Sequence, residues 1–333
     1  MTAADPIHPE PTEDEVRHQL YGRRNWGRWG DDDERGALNL ITPERRLAGL
    51  ATVRTGDVYS LSRPVPMWAG TGNPMPASMA LRMNHLGGDN RRPRHDRPAG
   101  GSGNDVLTLP YHGVASTHLD SLAHVWDADG MWGGRDPDEV FQVGGVRFGG
   151  VQHWATGILT RCVLLDVPRF RGTDYVDYDS PVHGWELDEI LAGLDLSLSP
   201  GDAVAIYQGR ERWQAAYPDH GYGRVPNVSN QSVGGPHKFD KPGLHASCLR
   251  FLRDHDLSTL CWDMLDASPY PYDITYSVHG AIHAYGMALI DNVVLEPLAA
   301  ECAERGQYEF LLVVAPLVVE GGTGSPVNPL AVL

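Results

Sequence analysis

The chain has 333 residues, 41% hydrophobic and 21% charged, a balance that supports a large folded core and excludes a disordered, collagen-like or coiled-coil chain. Asp and Glu number 43 against 27 Lys and Arg, and the net charge of −16 repels phosphate and anionic lipid, so neither nucleic acid nor a membrane surface is an expected partner. Four cysteines without C-x-x-C spacing, and an acidic, Pro-rich start that lacks both a basic stretch and an apolar core, predict a reducing, cytoplasmic setting.

Residues 1–20 lack hydrophobic periodicity and read as a flexible arm ahead of a single domain over 21–333. Thr42 followed by Pro43 opens a helix whose Leu47 and Leu50 are expected to point inward, with Gly56 as its stop. DVYSLSRPVP alternates as a strand until its prolines. Between Gly70 and Gly103, Gly, Pro, Asn and Arg crowd into a long surface excursion with the character of a lid. Beyond it the β-rich runs GILTRCVLLDV, DAVAIYQG and STLCWDML alternate with helical spacing in ELDEILAGL and HASCLRFLRDHD. The last third adds a helix from Ile274 to Gly286, a strand around ALIDNVVL, a helix LAAECAERG and a final apolar strand EFLLVVAPLVV. Such alternation predicts an α/β fold around a mixed sheet.

Several catalytic signatures are absent. There is no G-x-x-x-x-G-K-[ST] to cradle phosphate, no G-x-S-x-G to form a nucleophile elbow, and HGAIH at 279–283 lacks the glutamate of the zinc protease motif. What stands out is YHGVASTHLDSLAH, where His112, His118, Asp120 and His124 fall within 13 residues. If this segment is extended up to Asp120, residues two apart share a face, so His112, Val114, Ser116, His118 and Asp120 point one way. Imidazole nitrogens beside a carboxylate oxygen suit Zn²⁺ or Mn²⁺, with His124 close enough to move a proton. The pattern equally fits a solvated polar strand with one histidine satisfied by hydrogen bonds, and spacing alone leaves both open. Arg210, after AIYQG, reads as a surface arginine or as a partner for an anionic substrate group.

The chain resembles the cyclase family of metal-dependent hydrolases, which includes bacterial kynurenine formamidase and isatin hydrolase. The family hallmark H-x-G-T-H-x-D-x-P-x-H is matched by V-A-S-T-H-L-D-S-L-A-H at Thr117, His118, Asp120 and His124. Downstream, His279, Asp291 twelve residues later, Pro316 and GGTGSPVNP follow the family order, and Trp68 stands in an early W-x-G after an LS-x-P strand. The resemblance covers residues 57–333. It implies a swivelling β/β/α fold, with His118, Asp120, His279 and Asp291 as metal ligands, His124 as the catalytic proton carrier and Trp68 facing the substrate. Two positions depart from the pattern. Val114 stands where the family has its first metal histidine, which makes His112 the candidate replacement, and Asp291 stands where glutamate is usual. These departures predict a single divalent ion per chain, Zn or Mn, rather than a two-metal centre.

The function implied is metal-assisted attack of water on an amide, formamide, lactam or lactone bond of a small aromatic molecule. The alternatives are a metal-assisted cyclase or lyase of a biosynthetic pathway, or a scaffold protein that kept the fold and lost the chemistry, with Val114 in its favour. The apolar run FLLVVAPLVV and the resemblance to an oligomeric family predict a homodimer or higher homo-oligomer whose sheet edge is covered by a neighbour.

Overall fold

Apolar runs such as ILTRCVLLD and AVAIY have no solvated face to spare, and both lie deep in the molecule as interior strands. The computed structural model describes residues 8–65, 79–84, 102–218, 222, 241–268 and 271–333. Its centre is a nine-stranded sheet in the spatial order Val58–Ser60, Leu330–Val332, Glu309–Val314, Ile158–Asp166, Ala203–Tyr207, Thr259–Trp262, Ala288–Asp291, His118–Asp120 and Gly324–Pro326. The strands from Ile158–Asp166 to Ala288–Asp291 pair in parallel, and the pairings on either side are antiparallel. This is the α/β fold around a mixed sheet that the alternation predicts.

Successive strand residues point to opposite faces, and two cores result. Val163, Leu165, Val204, Ile206, Leu260 and Leu289 fill one, against the helices Gly184–Gly193, Cys248–Asp254 and Ala281–Tyr285. Cys162, Leu164, Ala205, Cys261, Ala288 and Ile290 fill the other, against the helix Glu296–Arg305. The helix Pro43–Leu50 starts at Thr42 as expected, yet Leu47 and Leu50 are exposed. It meets the sheet through Gly49 instead, where a Cβ would lie 2.7 Å from the Arg161 amide, so close backbone approach replaces leucine packing. The helix expected from Ile274 begins only at Val278, as a 3₁₀ turn that continues into Ala281–Tyr285 and ends at Gly286 with φ 72°.

Within the expected arm, residues 11–20 are docked on the domain rather than free. Thr12 caps the helix Glu13–Arg17 while Glu15 accepts from the Thr12 amide at 2.7 Å, a reciprocal capping box. Val16 and Leu20, four residues apart, are each 1% exposed. The hydroxyls of Tyr272 and Tyr285 donate to the carbonyls of Pro11 and Gln19 at 3.0 Å. A two-residue apolar stripe inside a charged run is too weak a periodicity to read, which is why the sequence looks like an arm.

Of the 70–103 excursion, the described part carries strand structure: Ala80–Met83 pairs antiparallel with Asp105–Thr108. The rest of it, and Trp68, lie outside the described residues. Glu309–Val314 is not an edge, since it pairs with Leu330–Val332 on one side and Ile158–Asp166 on the other. The sheet-edge argument for a homo-oligomer loses its premise, and the oligomer rests on the family resemblance alone. Among the described residues no helix is long and apolar enough to cross a membrane.

Docking of the first helix has a measurable consequence. Leu20→Ala is expected to lower stability by about 2–4 kcal/mol in urea denaturation, the usual range for a truncated core leucine. An unchanged unfolding midpoint would show that residues 12–22 are not part of the cooperative unit.

Candidate active site

Only His118–Asp120 of the histidine-rich segment is a strand. Its register sets Asp291 opposite His118 and Leu289 opposite Asp120. With Leu119 and Ile290 in one core, the two-residue period turns His118, Asp120 and Asp291 to the other face together. The extended segment expected from His112 is broken at Gly113, whose φ of 108° few other residues adopt. His112 therefore reaches the site from a loop rather than along a strand. Val114 is partly buried against the first core, and its carbonyl accepts from Arg210 at 2.6 Å.

Asp120 is the centre of the arrangement. It has no exposed surface, and neither carboxylate oxygen has a hydrogen-bond partner among the described residues. Three imidazoles surround it: His112 Nδ1 at 2.9 Å and His118 Nε2 at 3.4 Å from Oδ1, and His124 Nε2 at 3.6 Å from Oδ2. These nitrogens are near without being aligned to donate.

The far side of each of two rings is tied down. His118 Nδ1 lies 3.0 Å from the Ser116 carbonyl, which accepts only from a protonated nitrogen, so the ring is held with Nε2 facing Asp120 and, at 3.8 Å, Asp291. His112 Nε2 meets the Thr323 hydroxyl at 2.9 Å. On the neighbouring helix, His279 holds Asp266 through Nδ1 in a short hydrogen bond and turns Nε2 to Asp291 at 3.2 Å. Trp262 Nε1 donates to the other Asp291 oxygen at 2.5 Å. The donor atoms of His118, Asp120 and Asp291 lie within 4.8 Å of one another, and so do those of His112, Asp120 and His124. His112 and His124 also stack, with ring centroids 4.0 Å apart.

Electrostatics follow from burial and these neighbours. Burial alone would raise the Asp120 carboxyl, but His118, His124 and His112 outweigh it and hold the group well below the usual carboxylate range. His124 is pushed down to about 4, chiefly by burial, which Asp120 only partly opposes. Burial likewise lowers His283 to about 4 against the pull of Asp127. His279 is the converse: burial disfavours its charge, yet Asp266 and Asp291 raise it well above its ordinary value.

His112, His118, Asp120, His124, His279 and Asp291 are thus assembled in one place from a loop, strand ends and a helix, while Trp68 lies outside the described residues. Sequence reasoning missed Asp266 and Trp262, each a single residue near the end of a buried strand with no spacing signal. It also missed Thr323, although that residue sits within GGTGSP. Arg210 is no surface arginine: it is 2% exposed. Gly324 closes the site beneath His112, because a Cβ there would collide with the Leu119 carbonyl and stand 3.0 Å from His112 Cε1.

Comparison with known proteins bears on the family and the fold. The sequence profile of the family "Cyclase", described as "Putative cyclase", matches residues 59–268. A search of the curated proteins finds no match. Among solved structures, the chain is similar to a novel cyclase, with a TM-score of 0.77 and 28% identity over 93% of this chain and 99% of that one. It is also similar in fold to isatin hydrolase A from Ralstonia solanacearum, with a TM-score of 0.52 and 17% identity over 87% and 97% of the two chains. An isatin hydrolase bound to the product analogue thioisatinate gives a TM-score of 0.51 and 16% identity over 88% and 99%.

The histidine environments predict distinct titrations in chelator-treated protein. His124 and His283, at about 4 when folded against 6.5 when unfolded, bind fewer protons in the native state, so their contribution to stability falls as pH drops from 6.5 toward 4. His279 has the opposite sign: its stabilisation is full below 6.5 and is lost as pH rises through its elevated folded value. Ring ¹⁵N NMR at about pH 5.5, below the ordinary histidine value, should show His124 and His283 neutral and His279 protonated. A His124 that titrates near its ordinary value would contradict the site as described.

Proposed function

Because the chain belongs to the cyclase family, we propose that it is a metal-dependent hydrolase that opens an amide, formamide, lactam or lactone bond of a small aromatic molecule. The observation that carries the metal is Asp120, a buried carboxylate whose two oxygens have no hydrogen-bond partner among the described residues, with imidazole nitrogens turned toward it. A carboxylate left in that state costs several kcal/mol, and a divalent cation removes the penalty. The mixed nitrogen and oxygen donors suit Zn²⁺ or Mn²⁺. The substrate class is taken from the isatin hydrolases whose fold the chain shares.

In this proposal His118, Asp120, His279 and Asp291 hold one ion, with His112 in the place left by Val114. When bound, the ion supplies Lewis acidity that polarises a carbonyl and acidifies water. His124 is neutral at pH 7 because burial disfavours its charge, so Nε2 is free to accept a proton. The Asp120 carboxylate, 3.6 Å away, stabilises the imidazolium until the proton passes to the leaving nitrogen or oxygen. Trp68 is assigned to the substrate ring by its W-x-G position. A cytoplasmic homodimer or higher oligomer belongs to the same proposal, and a monomeric mass in light scattering would remove that part.

Elemental analysis combined with a screen of N-formyl, lactam and lactone compounds tests the proposal, with about one metal per chain expected. Asp120→Asn should lose metal and activity together. His124→Ala should keep the metal while turnover falls about 10²- to 10⁴-fold. Loss of metal from His124→Ala would make His124 a ligand beside His112 and Asp120. Protein with no stoichiometric metal would favour a scaffold over an enzyme, and a cyclised or eliminated product would favour the cyclase or lyase.

A further inference from the structure

The loop that delivers His112 and His118 has no regular secondary structure, so its carbonyls need partners from elsewhere. Two side chains provide them. Asn292 directly follows Asp291, is fully buried, and holds a left-handed backbone conformation with φ 59°. Its Nδ2 donates to the Gly113 carbonyl at 2.7 Å and to the Ser116 carbonyl at 3.1 Å. Its own carbonyl accepts from the Thr117 hydroxyl at 2.8 Å. Arg210 donates to Asn292 Oδ1 at 2.6 Å and to the Asp263 carbonyl at 3.2 Å through Nη1, and to the Val114 carbonyl at 2.6 Å through Nη2. The guanidinium lies 4.3 Å over the Tyr222 ring.

We infer that Arg210 and Asn292 are positioning residues of the site, a buried guanidinium and amide clamp that fixes the 113–117 loop and thereby aims His118 and His112 at Asp120. The inference rests on the metal reading above only for its second readout. Its central link is the Ser116 carbonyl, which accepts both from Asn292 and from His118 Nδ1. Whatever frees that carbonyl releases the ring that presents Nε2 to Asp120. Arg210 makes no ion pair with a carboxylate among the described residues, although a buried guanidinium is costly to leave unpaired. Its fork is matched instead to two carbonyls and an amide oxygen, a geometry that lysine cannot reproduce. The clamp joins residues just beyond the ends of three neighbouring parallel strands, at Arg210, Asp263 and Asn292, so the loop is registered against the sheet at the point where Asp291 emerges.

Two variants test the clamp. Asn292→Gly keeps the left-handed backbone and removes only the amide, and Arg210→Lys keeps the charge and removes the fork. In metal-free protein, the ring ¹⁵N shift of His118 Nδ1 should report a hydrogen-bonded N–H in the wild type and a weakened hydrogen bond in Asn292→Gly, with a smaller change in Arg210→Lys. In chelator-stripped protein titrated with Zn²⁺ alone, both variants should bind more weakly, by about 10- to 100-fold for Asn292→Gly, the range for losing a group that orients a ligand. An unchanged His118 Nδ1 shift and unchanged Zn²⁺ affinity in the variants would overturn the clamp. If the wild type takes up neither Zn²⁺ nor Mn²⁺ but the Nδ1 shift changes in the variants, the clamp stands and the metal reading falls. Should Asn292→Gly fail to fold, Arg210→Lys decides on the same two measurements.

Discussion

A carboxylate with no access to water and, among the described residues, no N–H aligned on it is the constraint around which the site is organised. Asp120 is enclosed because Leu119 is drawn into one core while the strands Ala288–Asp291 and Gly324–Pro326 close on both sides. In such a medium its charge must be met by groups held in place in advance, since none can reorient from solvent. His112 and His118 meet this requirement through anchors on their far sides, Thr323 and the Ser116 carbonyl, and His279, anchored by Asp266, does the same for Asp291. The orienting shell is as much part of the site as the donors themselves.

The sheet supplies the frame. Its parallel strands end on one side of the molecule, where the residues that follow them do polar work. Asp263 collects the backbone N–H groups of Gln208, Gly209 and Arg210, and its carboxyl is raised to about 7, first by burial and then by Glu211. Asp291 and Asn292 end the next strand, one facing the imidazoles and the other the loop. Ligand sites in open α/β sheets gather at such strand ends, because the side chains there leave the core but not the rigid scaffold.

Legibility in the sequence divided along physical lines. Interior strands such as Ile158–Asp166 and Ala203–Tyr207 are readable because burial on both faces demands continuous apolar residues. His118, Asp120 and His124 are readable because their contacts lie within one short stretch of chain. Leu47 and Leu50 mislead because a helix seated through Gly49 needs no apolar stripe. Val16 and Leu20 escape notice among charges whose capping role is local. Asp266, Thr323 and Arg210 escape because their partners are distant in the chain and no periodicity records such a pairing. His112 was placed at Asp120 by strand alternation, and it arrives there by a glycine-broken loop instead.

The glycine beneath His112 bears on how the site can change over evolutionary time. At position 324 the only tolerated substituent is a hydrogen atom, because the Leu119 carbonyl and the His112 ring occupy the space any side chain would enter. A lineage that drifted to alanine there would have to move the imidazole or the strand before gaining anything. The Leu119 carbonyl alone excludes a Cβ there, so position 324 is held as glycine whatever stands at 112, and the imidazole occupies room that the backbone has already kept clear.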